Sequence, residues 1–241
     1  MNDVVIAGIG QTTVSEHWDD SLRELAFQAI ENARQDVGGL QPQVLYVSNI
    51  HAQSLSGQAQ LGALIADFAG LTGIEAVTLE AAGASGGAAL RQAYLAVAAG
   101  AADTAMVVGV EKFTDKITAE AESAIATTTD SDFEAIHGLT PTSQAAMLMR
   151  RYMHEFDAPR EAFAGFPVTA HANGASNRNA MFRRAIKPEF YQRAGIVSEP
   201  LNMFDVAPNA DGAAVLILTR AELLPPAFPQ PLVRISGSSL T

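Results

Sequence analysis

The chain has 241 residues, 48% hydrophobic and 17% charged, enough to bury a sizeable core in one or two domains. It contains no cysteine, which excludes disulfides, thiolate metal sites and thiol catalysis, and its five histidines have no metal-ligand spacing, so no metal is expected. A net charge of −11 argues against nucleic acid, and the lack of a basic leader or an apolar run of about 18 residues points to a cytoplasmic protein that makes no membrane contact.

Asp3 to Gly8 is a nearly continuous apolar run, the pattern of a strand covered on both faces. Its Gly8-Ile9-Gly10 tail looks like a dinucleotide turn, but Thr13 stands at the third glycine position and no helix begins before Ser21. From Ser21 a capping box with Glu24 opens a helix that runs to Val37 and stops at Gly38-Gly39. Val44 to Ile50 reads as the second strand, with His51 just beyond it as a loop or site-lining residue. A helix from about Gln58 to Phe68, a strand Ala76 to Glu80, a helix Ala88 to Ala99 and a strand Ala102 to Val110 complete a βαβαβαβ alternation. That pattern predicts an α/β layered fold with a mainly parallel sheet.

From Glu111 to about Asp205 the sequence predicts helices, chiefly Thr142 to Phe156 and Arg160 to Asn173, and no strand; Met147, Met149 and Met153 are expected in a core. Strand character returns over Asp211 to Thr219, and after a proline-marked loop from Leu224 to Pro229 a last strand spans Pro231 to Ser236. The sheet domain thus comes in two pieces, 1–110 and 208–241, around a helical insertion at 111–207.

Between the strand ending at Glu80 and the helix of Ala88 to Ala99 lies a turn made almost wholly of Ala, Gly and Ser, Ala81 to Gly87, which permits close approach to the backbone. The small-residue helix that follows reads as buried on most faces. Its N-terminus offers N–H groups and partial positive charge to an anion or a developing oxyanion, with Gly83, Ala84, Ser85 and Gly86 as the donor-bearing residues. Ser85 reads as a helix cap and Glu80 as an acceptor that anchors the turn. Charge is segregated: Arg150 to Arg193 holds 8 basic and 4 acidic residues, against 5 and 18 before it. That island is either a site for a phosphorylated small ligand or a set of solvated helix faces.

The stretch EAAGASGGAALRQAYLAVAAG with the following DTAMVVGVEKFTD resembles the nucleophile turn, buried helix and next strand of thiolases, especially the sterol-carrier-type branch. Tyr152 to Phe156, Ala170 to Asn173 and Pro208 to Ala214 match in the same order. The resemblance implies one βαβαβαββ half of a five-layered fold, with its inserted loop domain. It places Gly83 at the position of the acyl-accepting cysteine, coenzyme A phosphates at Arg178, Arg183, Arg184 and Lys187, and His171 in the substrate channel. The family's catalytic histidine and second cysteine belong to the other half, so this chain alone is not expected to be active. The resemblance also implies a dimer paired through the strand Ala76 to Glu80, with acyl-CoA as substrate or ligand and no covalently bound cofactor.

Three roles remain open. The chain is a subunit of a heteromeric acyltransferase or aldolase completed by a second thiolase half or an OB-fold acyl-CoA-binding subunit, a non-catalytic acyl-CoA-binding or stabilising module, or an inactive form of an acetyl-CoA C-acyltransferase. In each, an exposed apolar helix layer implies an oligomer.

Overall fold

The computed structural model describes residues 3–228 and 231–239, so Met1 and Asn2 ahead of the first strand, and Pro229 at the end of the proline loop, lie outside the described residues. In chain order the elements are β1 (Val4–Gln11), α1 (Leu22–Val37), β2 (Val44–Ser48), α2 (Ala52–Leu55), α3 (Leu61–Phe68), β3 (Glu75–Leu79), α4 (Ser85–Ala98), β4 (Thr104–Glu111), α5 (Thr118–Ala126), α6 (Pro141–Phe156), α7 (Gly165–Ser176), α8 (Pro188–Arg193), β5 (Ile196–Ser198), β6 (Leu201–Asn202), β7 (Gly212–Arg220) and β8 (Val233–Arg234). The chain divides into two compact units, 1–115 with 211–241, and 116–210.

The first unit is a six-stranded sheet in the order β3-β2-β4-β7-β1-β8, with helices on both faces. Strands β3, β2 and β4 are parallel neighbours, whereas β7 runs antiparallel between β4 and β1, and β8 antiparallel to β1. The expected mainly parallel sheet is therefore a mixed one. Parallel neighbours need a crossover connection, which α3 and α4 provide early in the chain; β7 instead follows the insertion and enters the sheet in the opposite sense.

Helix α1 forms as its capping box predicts: Ser21 Oγ accepts from the Glu24 amide, Glu24 Oε2 accepts from the Ser21 amide, and Gly38 closes the helix at φ +63°. Its buried face includes Leu25, Ala29, Ile30 and Ala33. Burying Leu25 and Ile30 completely is worth about 1.5–3 kcal/mol each. Gly8 and Gly10 serve this packing, since a Cβ at Gly10 would overlap the Ala29 carbonyl oxygen and one at Gly8 the Val37 side chain. The glycine pair is a helix-seating surface and not a dinucleotide turn.

Helix α4 packs on the opposite face through Ala89, Ala93 and Val97, while Leu95 and Ala99 are exposed. The expectation of burial on most faces fails because, among the described residues, this helix is covered by the sheet and by the segment after β8, where Arg91 donates to the Ser238 carbonyl; its small side chains allow close packing on one side without demanding it on the other.

The second unit is helical except for a β5–β6 hairpin, a strand pair that apolar periodicity over such short segments does not reveal. Helix α6 begins at a Thr140–Ser143 capping box with Pro141 in its first turn. Ala146, Met149 and Leu201 form a small core with Met153 and Phe163 beside it. Met147 is exposed, against expectation, because it lies on the opposite face of α6 from Met149 and Met153. Tyr191 is completely buried; its hydroxyl donates to Asp205, and burial followed by the Asp205 charge pushes its pKa up to about 12.

Candidate functional site

Strands β1, β2, β3 and β4 point the same way, so their carboxyl ends gather the loops where α/β folds place their chemistry. After β3 the chain makes a short 3₁₀ turn at Ala82–Ala84 and enters α4 directly. Ala82 sits at φ +45°, a left-handed conformation that costs a non-glycine residue about 1–3 kcal/mol. Two side chains hold it there. Glu80 Oε1 accepts from the Ala82 amide, while Ser85 Oγ accepts from the Ala81 amide at 2.8 Å and donates to the Ala82 carbonyl at 2.7 Å. Glu80 thus anchors the turn as expected. Ser85 braces the turn and does not cap the helix, whose N-cap residue is Ala84 with no side-chain hydrogen bond.

Gly83 follows the strained residue and is itself exposed; a Cβ built on it would meet nothing within 4 Å. Gly86 is exposed in the first turn of α4, its Cβ position 3.9 Å from Ser48 Oγ. The Ala84 amide donates to the Ala81 carbonyl at 2.9 Å and the Ser85 amide to the Ala82 carbonyl, so the turn itself takes two of the four expected donors, and Gly83 and Gly86 are left as the candidates beside the N-terminus of this 14-residue helix. Beside the turn lies a cavity of about 470 Å³ whose lining includes Asn49, Gln53, Gln60, Thr78 and Glu80.

The end of β4 organises this edge of the sheet. Glu111 accepts from Asn49 Nδ2 at 2.9 Å and from the Ile50 and His51 amides at 3.0 and 3.3 Å, fixing the loop after β2. Asn49 Nδ2 also donates to the Val110 carbonyl, and its Oδ1 accepts from the Ala52 amide. His51 is buried against Phe113, with Nδ1 unpaired. The next residue after Glu111, Lys112, is buried and reaches the His17 carbonyl, Asp115 and Asp211.

Asp211 accepts from the amides of His17, Phe113 and Thr114 and from the Thr114 hydroxyl. Burial works to raise its pKa, but these donors outweigh burial and hold the carboxyl below its ordinary value. Nothing in the one-dimensional pattern singles out Asn49, Glu111 or Lys112. The available signal is an apolar strand that stops abruptly at Glu111-Lys112, with a second apolar strand starting after Asp211.

In the helical unit, His171 Nδ1 lies 3.1 Å from the Arg184 carbonyl, and its ring stacks with Phe182 and meets Phe204 edge-on. His171, Arg183 and Arg184 line a cavity of about 640 Å³ with Met181, Phe182 and Ile186. Three of the five residues expected to hold coenzyme A thus converge on one cavity. Arg178 and Lys187 are exposed on the same connector between α7 and α8 but do not line it. Among the described residues no cluster of His, Asp and Glu could hold a metal, and no helix is long and apolar enough to cross a membrane.

The thiolase N-terminal domain family matches residues 4–222. The chain belongs to the thiolase family. It is 40% identical over 225 residues to an acetyl-CoA acetyltransferase of Methanothermobacter thermautotrophicus, covering 92% of this chain and 58% of that protein. It is 30% identical over 239 residues to the benzoylsuccinyl-CoA thiolase subunit BbsB of Thauera aromatica, covering 98% and 60%. Among solved structures, the Ltp2-ChsH2(DUF35) aldolase superposes with a TM-score of 0.76 at 27% identity, over 98% of this chain and 60% of that one. The chain thus spans about three fifths of the length of these thiolase relatives. The layered α/β fold is the family's own, and its relatives include both acyltransferases and an aldolase.

Proposed function

We propose that this chain is the acyl-CoA-binding half of a heteromeric enzyme that makes or breaks a carbon–carbon bond beside a thioester by aldol-type chemistry. The observation that carries this reading is Gly83: the braced turn, the strained Ala82 and the uncapped helix are all present, but the residue between them has no side chain. Acyl transfer from a 3-oxoacyl thioester needs a nucleophile to accept the acyl group. Aldol cleavage of a 3-hydroxyacyl thioester needs none. A base takes the hydroxyl proton, the Cα–Cβ bond breaks to leave an aldehyde or ketone, and its electron pair passes into the thioester as an enolate. Protonation at Cα then releases the shorter acyl-CoA. Backbone donors at Gly83 and Gly86 would stabilise that enolate, the step for which preorganised N–H groups are most effective; the Ala84 and Ser85 amides, bonded to the Ala81 and Ala82 carbonyls, hold the turn in shape instead.

The base and acid would come from a second thiolase-like half, in company with or replaced by an OB-fold acyl-CoA-binding subunit, in line with a solved relative that is a two-component aldolase. Arg178, Arg183, Arg184 and Lys187, with His171, would hold the coenzyme A phosphates and the near end of its chain. Pairing of two copies through β3 fits the sheet edges. On β1, Asp36 accepts from the Ile9 amide and Asn32 donates to the Gln11 carbonyl, blocking that edge, whereas β3 is a terminal strand with mostly exposed residues.

The test is to purify the chain from its source untagged, identify what accompanies it by native mass spectrometry, and offer the complex 3-hydroxyacyl-CoA or 3-oxoacyl-CoA plus free CoA. Release of a carbonyl product from the first without consumption of free CoA is expected. CoA-dependent cleavage of the second alone would overturn the proposal.

A further inference from the structure

The insertion leaves the sheet unit after Asp115 and returns at Asp211, and both roots meet at one buried carboxylate. We infer that the end of β4 is a two-sided clamp that couples the roots of the insertion to the loop after β2 beside the nucleophile-type turn. On one side Asp211, with a completely buried side chain, binds the amides of His17, Phe113 and Thr114, the Thr114 hydroxyl and the Lys112 ammonium. On the other side Glu111, the neighbour of Lys112, binds the Ile50 and His51 amides and the Asn49 side chain. Successive residues at a strand end point to opposite sides, so one short backbone segment carries both attachments.

A displacement of Asp211 must therefore either break its bonds to Phe113 and Thr114 or drag residues 111–114 with it. Dragging them moves the Glu111 carboxylate and, through the Phe113 ring packed edge-on against His51 at 5.5 Å, the loop itself. That loop and the last residue of β2 each touch the turn region. The Asn49 amide donates to the Leu79 carbonyl, and Ser48 Oγ stands beside Gly86. The linkage is a continuous chain of bonded groups inside one unit, and a coupling of this kind acts in both directions. It makes Asp211 and Glu111 positioning residues: they touch no reacting atom and set where the site loop stands.

Each bonded amide is its own reporter, because hydrogen exchange reads the opening of the bond it makes. Asp211→Asn in the full chain is expected to speed exchange about tenfold at His17, Phe113 and Thr114, and several-fold at Ile50 and His51, which do not touch Asp211. Leu45 and Met106, in the sheet centre, should not change. Reciprocally, Glu111→Gln should speed exchange at Phe113 and Thr114. Unchanged Ile50 and His51 amides in Asp211→Asn would overturn the coupling, and uniform acceleration that includes Leu45 and Met106 would reduce the clamp to general stability. Should Asp211→Asn not fold, Thr114→Val keeps the carboxylate with its remaining donors, and the same pattern at smaller amplitude is required. No ligand enters the measurement, so its outcome is independent of the proposed chemistry.

Discussion

Installing a cysteine at Gly83 tests whether the turn is a nucleophile cradle that lacks only its nucleophile. Gly83 is not among the residues with positive φ, and its Cβ position is open, so Gly83→Cys introduces neither backbone strain nor overlap. Replacing glycine in a compatible conformation stabilises a fold by about 0.4–1 kcal/mol through the unfolded chain, so the variant should fold at least as well as the parent. The new thiol would sit just before the N-terminus of α4, where the helix dipole favours the thiolate. Glu80, which braces the turn, acts in the opposite sense.

Helix N-termini bring cysteine down from its ordinary value of about 8.5 to roughly 3.5–7.5, and with Glu80 opposing, a fall of about one unit is expected. At pH 7 that raises the thiolate fraction about eightfold. Because the natural chain has no cysteine, alkylation of intact protein followed by mass spectrometry across pH reports this one group. Ala99→Cys, exposed at the opposite end of the same helix, is the control, since the dipole there disfavours the thiolate. A thiol in Gly83→Cys that titrates at or above the thiol in Ala99→Cys would refute the cradle argument and remove the support for enolate stabilisation by the amides of that turn.

Three further outcomes follow from individual contacts. Arg183→Ala with Arg184→Ala should weaken coenzyme A binding by at least about tenfold in calorimetric titration, since each charge-assisted hydrogen bond is worth about 1.5–3 kcal/mol, whereas Arg23→Ala in α1 should leave it unchanged. Gly10→Ala should lower stability by about 1–3 kcal/mol in denaturant unfolding, because the added methyl meets the Ala29 carbonyl; Gly39→Ala tests strain alone, at φ +111° with no neighbour within 4 Å. Asp211 has a depressed pKa in the folded state, so its stabilisation is fully present above the unfolded value of about 3.9 and is lost as pH falls through the folded value. Stability measured from about pH 6 down to 3 should decline more steeply in the parent than in a Thr114→Val variant, which loses one of the donors that depress the pKa.

Features carried by neighbouring residues are legible in the sequence. The capping box of α1 needs only Ser21 and Glu24, three positions apart, and the turn at Gly83 is recognisable because strand, small residues and helix are contiguous. What escapes depends on distance along the chain or on what is absent from it. The antiparallel entry of β7 (Gly212–Arg220) between β4 (Thr104–Glu111) and β1 (Val4–Gln11) joins segments far apart in the chain, and no local propensity encodes which side of the sheet a returning strand joins. The Lys112–Asp211 pair spans the gap from β4 to β7. Burial of α4 is overestimated for a different reason. An alanine-rich helix is compatible with close packing on every side, but compatibility supplies no partner, and here the stripe of Ala89, Ala93 and Val97 is the one fully buried against the sheet among the described residues. The exposed face and the open Cβ position at Gly83 belong to the same helix and the turn that leads into it. The position without a side chain and the exposed face of α4 are therefore neighbours, so whatever packs over α4 would also reach the turn.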